Sequence, residues 1–423
     1  MTPPPVSVVI VSRDRPESLI WCLTGVAGLR YPGFEVVVVA DSPGVAAVRA
    51  SRFAGRVKLI AFDRANISEA RNLGVSQAAG EVVAFIDDDA VPEPTWLTFL
   101  TAPLADPGVA AVGGFVRGRN GISFQWKARM VDTCGRAEPL DVDEAQPTVL
   151  HPGPGQAIKT EGTNMALRRQ VLARLGGFDP NFRFYLDETD LNIRLARAGM
   201  ATAIAPMAQV HHAYAASPRR SADRAVRDLH EIGASWAVFL RKHCPEEQRA
   251  RRWQEVQNDE HTRLDDQQAR GLINAADAPR ILASLSEGFA DGRQREIADP
   301  PGVEPSQAGF LPFPGAQGAS VVLAGRIWQA RRIRREARDR VARGETVSLF
   351  LFSPTTRFHK VRLSPEGVWE QVGGLFGRSE RDAPLFRLIG FRARVDQESR
   401  RVAALRDLNG ADQDKRQHTA ISP

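Results

Sequence analysis

A chain of 423 residues with 43% hydrophobic content can bury a large core and is expected to form two units. Its formal net charge of +6 is uneven: residues 1–240 hold 25 basic and 25 acidic side chains, so the whole excess falls in residues 241–423. No apolar stretch reaches about 18 residues, so no membrane-spanning helix is expected, and no basic-apolar-small leader is expected from the opening residues. Residues 6–11 are the first continuously apolar run and end in a polar loop, Ser12 to Pro16, before an amphipathic segment around Leu19 to Leu29. A second run, 34–40, is closed by Asp41. A third, 57–62, precedes a helical pattern from Ser68, its predicted N-cap, to Val75.

Residues 82–86 are short, rich in β-formers and bounded by Gly80, and they deliver Asp87, Asp88 and Asp89 to one point. Like charges a few ångströms apart repel unless a cation neutralises them, which a hard divalent ion such as Mg²⁺ or Mn²⁺ does through oxygen ligands. Standing alone, the triplet also fits a solvated acidic turn before Pro92 and Pro94. Apolar strands alternating with helices predict an α/β fold with a largely parallel sheet covered on both faces. Ligands of such sheets sit beyond the strand carboxyl ends, so Asp41 and Asp87 to Asp89 are expected to face one crevice.

Farther along, Gly162-Thr163-Asn164-Met165 leads into a predicted helix over 167–175. Residues 187–198 carry a helical pattern that stops near Gly199, with Asp190 and Arg194 at ion-pair spacing. Asp187 as N-cap with Asp190 three residues on would stabilise that helix by about 0.5–2 kcal/mol. Capping needs neither Glu188 nor the preceding aromatics Phe182, Phe184 and Tyr185. His211 and His212 follow the apolar run 200–210.

Six pieces in this order, over residues 5–215, resemble the family 2 glycosyltransferases of the GT-A fold. They are residues 8–16, the Asp41 strand end, Ala70-Arg71-Asn72-Leu73-Gly74, residues 84–89, residues 162–169 leading to Gly176-Gly177-Phe178-Asp179, and Asp187-Glu188-Thr189-Asp190-Leu191 leading to Arg194 and Gly199. The resemblance implies a Rossmann-like mixed, mostly parallel sheet flanked by helices. It also implies an inverting transfer from a nucleotide sugar, UDP-linked by preference, to a glycan or lipid-linked acceptor in a bacterial surface glycan. Asp89 is expected to ligate Mn²⁺ or Mg²⁺, with Asp87 and Asp88 nearest the nucleotide. A histidine completes such a site, His212 fitting better by register than His211, although adjacent histidines at a strand end are also ordinary packing residues.

Asp41 corresponds to the base-contacting aspartate, but Asp41-Ser42-Pro43-Gly44 departs from the family by a proline and also suits a simple turn. Arg71 matches the nucleotide-facing arginine, with an exposed helix arginine as the alternative. Gly162, Thr163 and Asn164 match the loop near donor and acceptor, or only a turn. The family carries Glu-Asp where this chain has Asp-Glu, so by position Glu188 is the catalytic base and Asp187 its rival. A single base on one face predicts inversion, whereas double displacement needs a nucleophilic carboxylate.

The second half carries no recognised catalytic pattern. The expected division is 1–217 for the transferase domain, 218–298 for a helical extension, 299–318 for a Pro/Gly-rich linker, 319–406 for a basic helix with a small α+β unit, and 407–423 for a disordered tail. Short strands are predicted at 346–352, 358–363 and 385–394. Arginines between Arg326 and Arg343 suit an anionic membrane surface, or equally a solvated helix. Arginine outnumbers lysine 50 to 6, which reads as coding bias and makes a nucleic-acid role unlikely. Three distant cysteines, Cys22, Cys134 and Cys244, point to a reducing compartment and so to a cytoplasmic enzyme, with peripheral contact at the inner face of the membrane expected only from the basic stretch 326–343. The competing class is a non-catalytic nucleotide-sugar or glycan-binding protein on the same scaffold.

Overall fold

The computed structural model describes residues 2–408 apart from 214, 222, 301, 304 and 305. Strands β1 (Val6–Ser12), β2 (Phe34–Ala40), β3 (Lys58–Ala61) and β4 (Val82–Asp87) are parallel and adjacent in the order β3-β2-β1-β4. They alternate with α1 (Pro16–Val26), α2 (Ser42–Arg49) and α3 (Ile67–Gln77). β1, β2 and β4 are buried on both faces, which is why they read as unbroken apolar runs. Each fully buried valine in them contributes about 1.5–3 kcal/mol. Gly74 lets α3 lie against β1, since a Cβ there would meet Val9 Cγ1 at 2.5 Å. The α3 cap differs from expectation: Asn66 accepts from Glu69 N at 3.1 Å, while Ser68 is buried and donates to the Phe182 carbonyl.

The sheet continues through β5 (Ala90–Pro92), α4 (Trp96–Thr101), β6 (Val109–Arg117) and β7 (Phe124–Trp126). A small antiparallel sheet of β8 (Arg129–Asp132), β9 (Ala137–Pro139) and β11 (Gln156–Lys159) surrounds β10 (Thr148–Leu150) in sequence. Next come β12 (Met165–Arg168), α5 (Arg169–Arg174), α6 (Asp187–Arg197) and β13 (Ala201–His212). The helix expected over 167–175 is thus partly strand. β12 runs antiparallel between β4 and β6 with Met165 opposite Phe85, so its amino end lies beside the carboxyl end of β4. β13 pairs parallel with β6 and antiparallel with β5, placing His212 opposite Ala90. Its register on β6 slips between Ala205 and Gln209, an irregularity that re-aims the last four residues of the strand. Together these elements form the mixed, mostly parallel α/β sheet flanked by helices that the sequence predicts.

Helices α7 (His230–His243), α8 (Glu246–Ala269) and α9 (Ala278–Gln294) pack beside α6. Asp190 joins them: Arg194 pairs with it as expected at 2.7 Å, and Lys242 and His243 of α7 reach it at 2.7 and 2.8 Å. Cys134 and Cys244 form a disulfide across 110 residues, and Cys22 is free and buried. Spacing in sequence concealed their proximity in space, and the reducing compartment expected from unpaired thiols loses that support. No helix among the described residues is long and apolar enough to cross a membrane.

The proline-rich segment lies against the first sheet, with Phe313 packed on Phe34 at 5.5 Å and bonded to its carbonyl. Beyond it, β14 (Ser320–Arg326), β15 (Thr346–Ser353) and β17 (Trp369–Gly374) are parallel, with β16 (Lys360–Leu363) antiparallel at the edge. α10 (Ala330–Ala342) covers one face of this sheet and α11 (Phe391–Arg406) the other. The strand expected at 385–394 is not formed: Val395 and Val402, two turns apart, pack on Phe350 and Phe352 and make the segment from Phe391 a helix. The tail from 409 lies outside the described residues.

Candidate active site

β4 delivers the three aspartates to the carboxyl edge of the sheet, and they diverge. Asp87, Asp89 and His212 offer ligand atoms that all lie within 4.8 Å of one another. Two carboxylates and an imidazole fit a divalent ion such as Mn²⁺, whereas Mg²⁺ favours an all-oxygen set. Asp88 points elsewhere: it is fully buried, accepts from Ser12 Oγ at 2.7 Å and meets Arg15 Nη2 at 2.6 Å. Burial pushes its carboxyl up to about 7 against the pull of Arg15. Thus Asp87, not Asp88, accompanies Asp89.

Asp89 lies 3.1 Å from His212 Nε2, accepts from Ala215 N at 2.7 Å, and meets Arg15 at 3.1 Å and Arg220 at 3.3 Å. Burial opposes its ionisation, but the His212 hydrogen bond and Arg15 outweigh it and hold the carboxyl well below the usual range. His211 faces away, 2.8 Å from Glu93 and with its ring 4.9 Å from that of Trp369. Asp41 is buried at the start of α2, accepting from Gly44 N at 3.0 Å and Asp14 N at 2.6 Å.

Arg71 is buried, not an exposed helix arginine. Its guanidinium pairs with Asp187 and lies 3.4 Å from Asp87, with the Phe178 ring 5.2 Å away. Gly162 makes the room, for a Cβ there would sit 2.4 Å from Arg71 Nη2. One arginine therefore joins the acidic corner to the amino end of α6.

α6 is capped not by Asp187 but by Leu186, in left-handed backbone at φ 63° directly after Tyr185 at φ 72°. Such conformations cost on the order of 1–3 kcal/mol each and persist where the surroundings impose them. They free Asp187 to reach Arg71 and turn Glu188 toward Lys159, whose Nζ is 3.3 Å from Glu188 and 3.0 Å from Glu161. Burial, reinforced by the charge of Glu188, pushes Asp187 up to about 7 despite Arg71. Burial acts on Glu188 as well, but Lys159 and Arg71 overcome it and lower its pKa.

Asn164, expected at the crevice, is a cross-link in the core. Its amide donates to the carbonyls of Phe115 at 2.9 Å and Ala208 at 2.8 Å, and its oxygen accepts from Trp96 Nε1 at 2.7 Å. Thr163 is buried beside it. Phe182 packs on Phe239 in the core, whereas Tyr185 is 41% exposed, beside Trp236. Sequence reasoning assigned no site role to Arg15, Lys159 or Glu161. Lys159 carried a faint signal, being one of only six lysines among 50 arginines and lying three residues before Gly162.

Residues 3–230 match the family model described as glycosyltransferase like family 2. The chain belongs to that family. The O-antigen biosynthesis protein RfbC of Myxococcus xanthus is 28% identical over 230 residues, covering 52% of this chain and 18% of that protein. The glucosyl-dolichyl phosphate glucuronosyltransferase of Haloferax volcanii is 28% identical over 196 residues, covering 42% and 56%. The pre-mycofactocin glycosyltransferase of Mycobacterium tuberculosis is 27% identical over 216 residues, covering 49% and 42%. The chain thus spans about half or less of the length of these relatives. Among solved structures, GalNAc-T7 with UDP, GalNAc and Mn²⁺ is similar at TM-score 0.41 and 18% identity, covering 50% of this chain and 44% of that one. The Pyrobaculum calidifontis mannosyltransferase PcManGT with GDP-Man and Mn²⁺ is similar at TM-score 0.39 and 18% identity, covering 70% and 77%.

Proposed function

We propose that this chain transfers a sugar from a nucleotide-linked donor, a UDP-sugar by preference, to a hydroxyl acceptor with inversion at the anomeric carbon. The observation that supports it most is Arg71, which links a cation-binding group on one side, Asp87 with Asp89 and His212, to a pair of carboxylates on the other. Asp87, Asp89 and His212 would hold Mn²⁺ in preference to Mg²⁺. When bound, that ion supplies positive charge against a departing diphosphate. Arg15 and Arg71 add cationic charge at the same edge. Asp41 keeps a lone pair on each oxygen for an N–H of the base.

Glu188 is the base in this reading. Lys159 keeps it ionised, so it accepts the acceptor's hydroxyl proton while the acceptor oxygen attacks the anomeric carbon. The bond from that carbon to the diphosphate oxygen breaks, its electron pair leaving with the diphosphate. A single displacement inverts the anomeric centre. Asp187 is spoken for by Arg71 and positions that guanidinium.

Relatives named for O-antigen biosynthesis and for a dolichyl-phosphate-linked sugar fit a lipid-linked or surface-glycan acceptor. In this reading residues 1–217 carry the chemistry, and the enzyme works at the inner face of the cell membrane. The exposed arginines Arg331 and Arg335 of α10, beside the exposed Trp328, are the candidate contact with anionic lipid.

The test is a panel of UDP-, GDP- and dTDP-sugars read by thermal stabilisation with Mn²⁺ and again with chelator. One nucleotide class is expected to stabilise the chain only with metal, and Glu188→Gln to keep that binding while losing transfer. Full turnover by Glu188→Gln would defeat the assignment.

A further inference from the structure

The metal-ligand group is backed, through Glu93, by a residue 313 positions farther along the chain than that glutamate. β5 follows directly from Asp89 and pairs with the end of β13, with His212 opposite Ala90 and His211 opposite Val91. Consecutive strand residues project to opposite faces, so His212 turns to Asp89 while His211 turns to the C-terminal sheet. There its Nε2 lies 2.8 Å from Glu93, the residue after β5, and its ring packs on Trp369. Arg406 of α11 grips Glu93 with Nε at 2.9 Å and Nη2 at 3.1 Å. Its guanidinium lies 4.6 Å from the Trp369 ring, and its Nη1 is 3.2 Å from Ser348 Oγ of β15. Arg406 and Glu93 are each 1% exposed. Two residues on, Thr95 Oγ donates to the carbonyls of Ala404 at 3.0 Å and Leu405 at 2.9 Å. Val91 itself packs among Val361, Leu363 and Trp369.

We propose that Arg406 is a positioning residue for the metal site: through Glu93, with Trp369 behind His211, it fixes the β5–β13 pair so that Asp89 and His212 stay within reach of one ion. The C-terminal α/β unit is then part of the metal centre, not an appendage to residues 1–217. This rests on Asp87, Asp89 and His212 binding a divalent ion. Groups hydrogen-bonded directly to metal ligands change metal affinity by about 10–100-fold when removed, and Arg406, one contact farther out through Glu93, is set at the lower end of that range.

The full chain is titrated with Mn²⁺ alone, free ion being followed by electron paramagnetic resonance, for wild type and for Asp89→Asn, Arg406→Met, Arg406→Lys and Val402→Ala. Val402 lies on the same helix, under Phe350 and Phe352, and loosens the unit without touching Glu93. Arg406→Met is expected to weaken Mn²⁺ binding tenfold or more, Arg406→Lys to recover part of it, and Val402→Ala to lower Tm with affinity unchanged within twofold. In turnover, Arg406→Met raises the Mn²⁺ concentration for half-activation while kcat at saturating Mn²⁺ stays within threefold. A folded Arg406→Met that binds Mn²⁺ as wild type does, or a Val402→Ala that weakens it equally, overturns the proposal. If Arg406→Met does not fold, Thr95→Val is read in the same titration: about threefold weaker binding supports the proposal and unchanged binding overturns it. Wild type without an Mn²⁺ site, or Asp89→Asn that keeps it, removes the metal reading itself.

Discussion

Arg71 on α3 and Asp187 at the start of α6 are 116 residues apart in sequence and form an ion pair that is 5% and 3% exposed. Neither charge has water to fall back on, so each depends on the other. Removing one partner of such a pair costs about 3–5 kcal/mol, because the survivor stays buried and unpaired. Arg71→Met is therefore expected to lower unfolding free energy by about that much, measured by urea denaturation, and to abolish transfer. Arg71→Lys restores much of the stability but not the rate, since an ammonium does not span Asp87 and Asp187 together.

The pH profile separates the two candidate bases. A base works when deprotonated, so the rate falls as pH drops through its pKa. Glu188 is held below the usual carboxylate range, and Asp187 is pushed up to about 7. With Glu188 as base, kcat is flat from pH 8 down to about 5; with Asp187 it is halved near 7. Lys159→Met removes the charge that keeps Glu188 ionised and is expected to carry the acid limb upward into the measured window.

Metal removal reads the acidic corner. Chelation is expected to abolish transfer and Mn²⁺ to restore it. His212→Gln replaces an imidazole with an oxygen donor and is expected to weaken Mn²⁺ more than Mg²⁺, narrowing the ratio of their activation constants. An unchanged ratio would take His212 out of the ligand set.

Asn164→Ala tests a structural role where a substrate contact was expected. It leaves the Trp96 N–H and two carbonyls without partners in the core. Each unpaired group costs about 1–3 kcal/mol, so the variant is expected to lose several kcal/mol of stability with donor KM unchanged in the folded fraction.

The C-terminal unit is expected to be acid-labile in a defined window. Burial, with Arg394 nearby, pushes His359 down to about 4, and its Nδ1 accepts from Gln371 at 2.7 Å. The unfolded chain binds that proton near pH 6.5, so the stabilisation is complete above about 6.5 and declines as pH falls to about 4. The loss amounts to about 3 kcal/mol and then stops for this group. Glu398, held low by Arg401 despite its burial, adds a second loss at lower pH. His359→Asn should flatten the slope of stability between pH 6.5 and 4 in denaturant titrations.

The strands that carry Asp41 and the aspartate triplet were legible because burial on both faces leaves an uninterrupted apolar run, which local composition reports directly. The start of α6 was legible as a helix but not its cap: Leu186 enters from left-handed backbone, a conformation its side chain does not advertise. Asn66 and Ser68 are both good caps, and the choice between them is made in space: Asn66 accepts from Glu69 N while the Ser68 hydroxyl is taken by the Phe182 carbonyl. Partnerships formed across long separations left no local trace, among them Arg15 with Asp88, Lys159 with Glu188, and Cys134 with Cys244. Asn164 misled for the opposite reason, since its residue type suits a ligand and a core cross-link equally.

The grip of Arg406 on Glu93 also sets an order of events during synthesis. Residues 3–230 leave the ribosome long before α11, so their sheet can assemble while Glu93 still lacks its cation. A nascent or prematurely terminated chain leaves Glu93 with His211 alone, without the Arg406 guanidinium or the Trp369 ring that the C-terminal unit later brings against the pair.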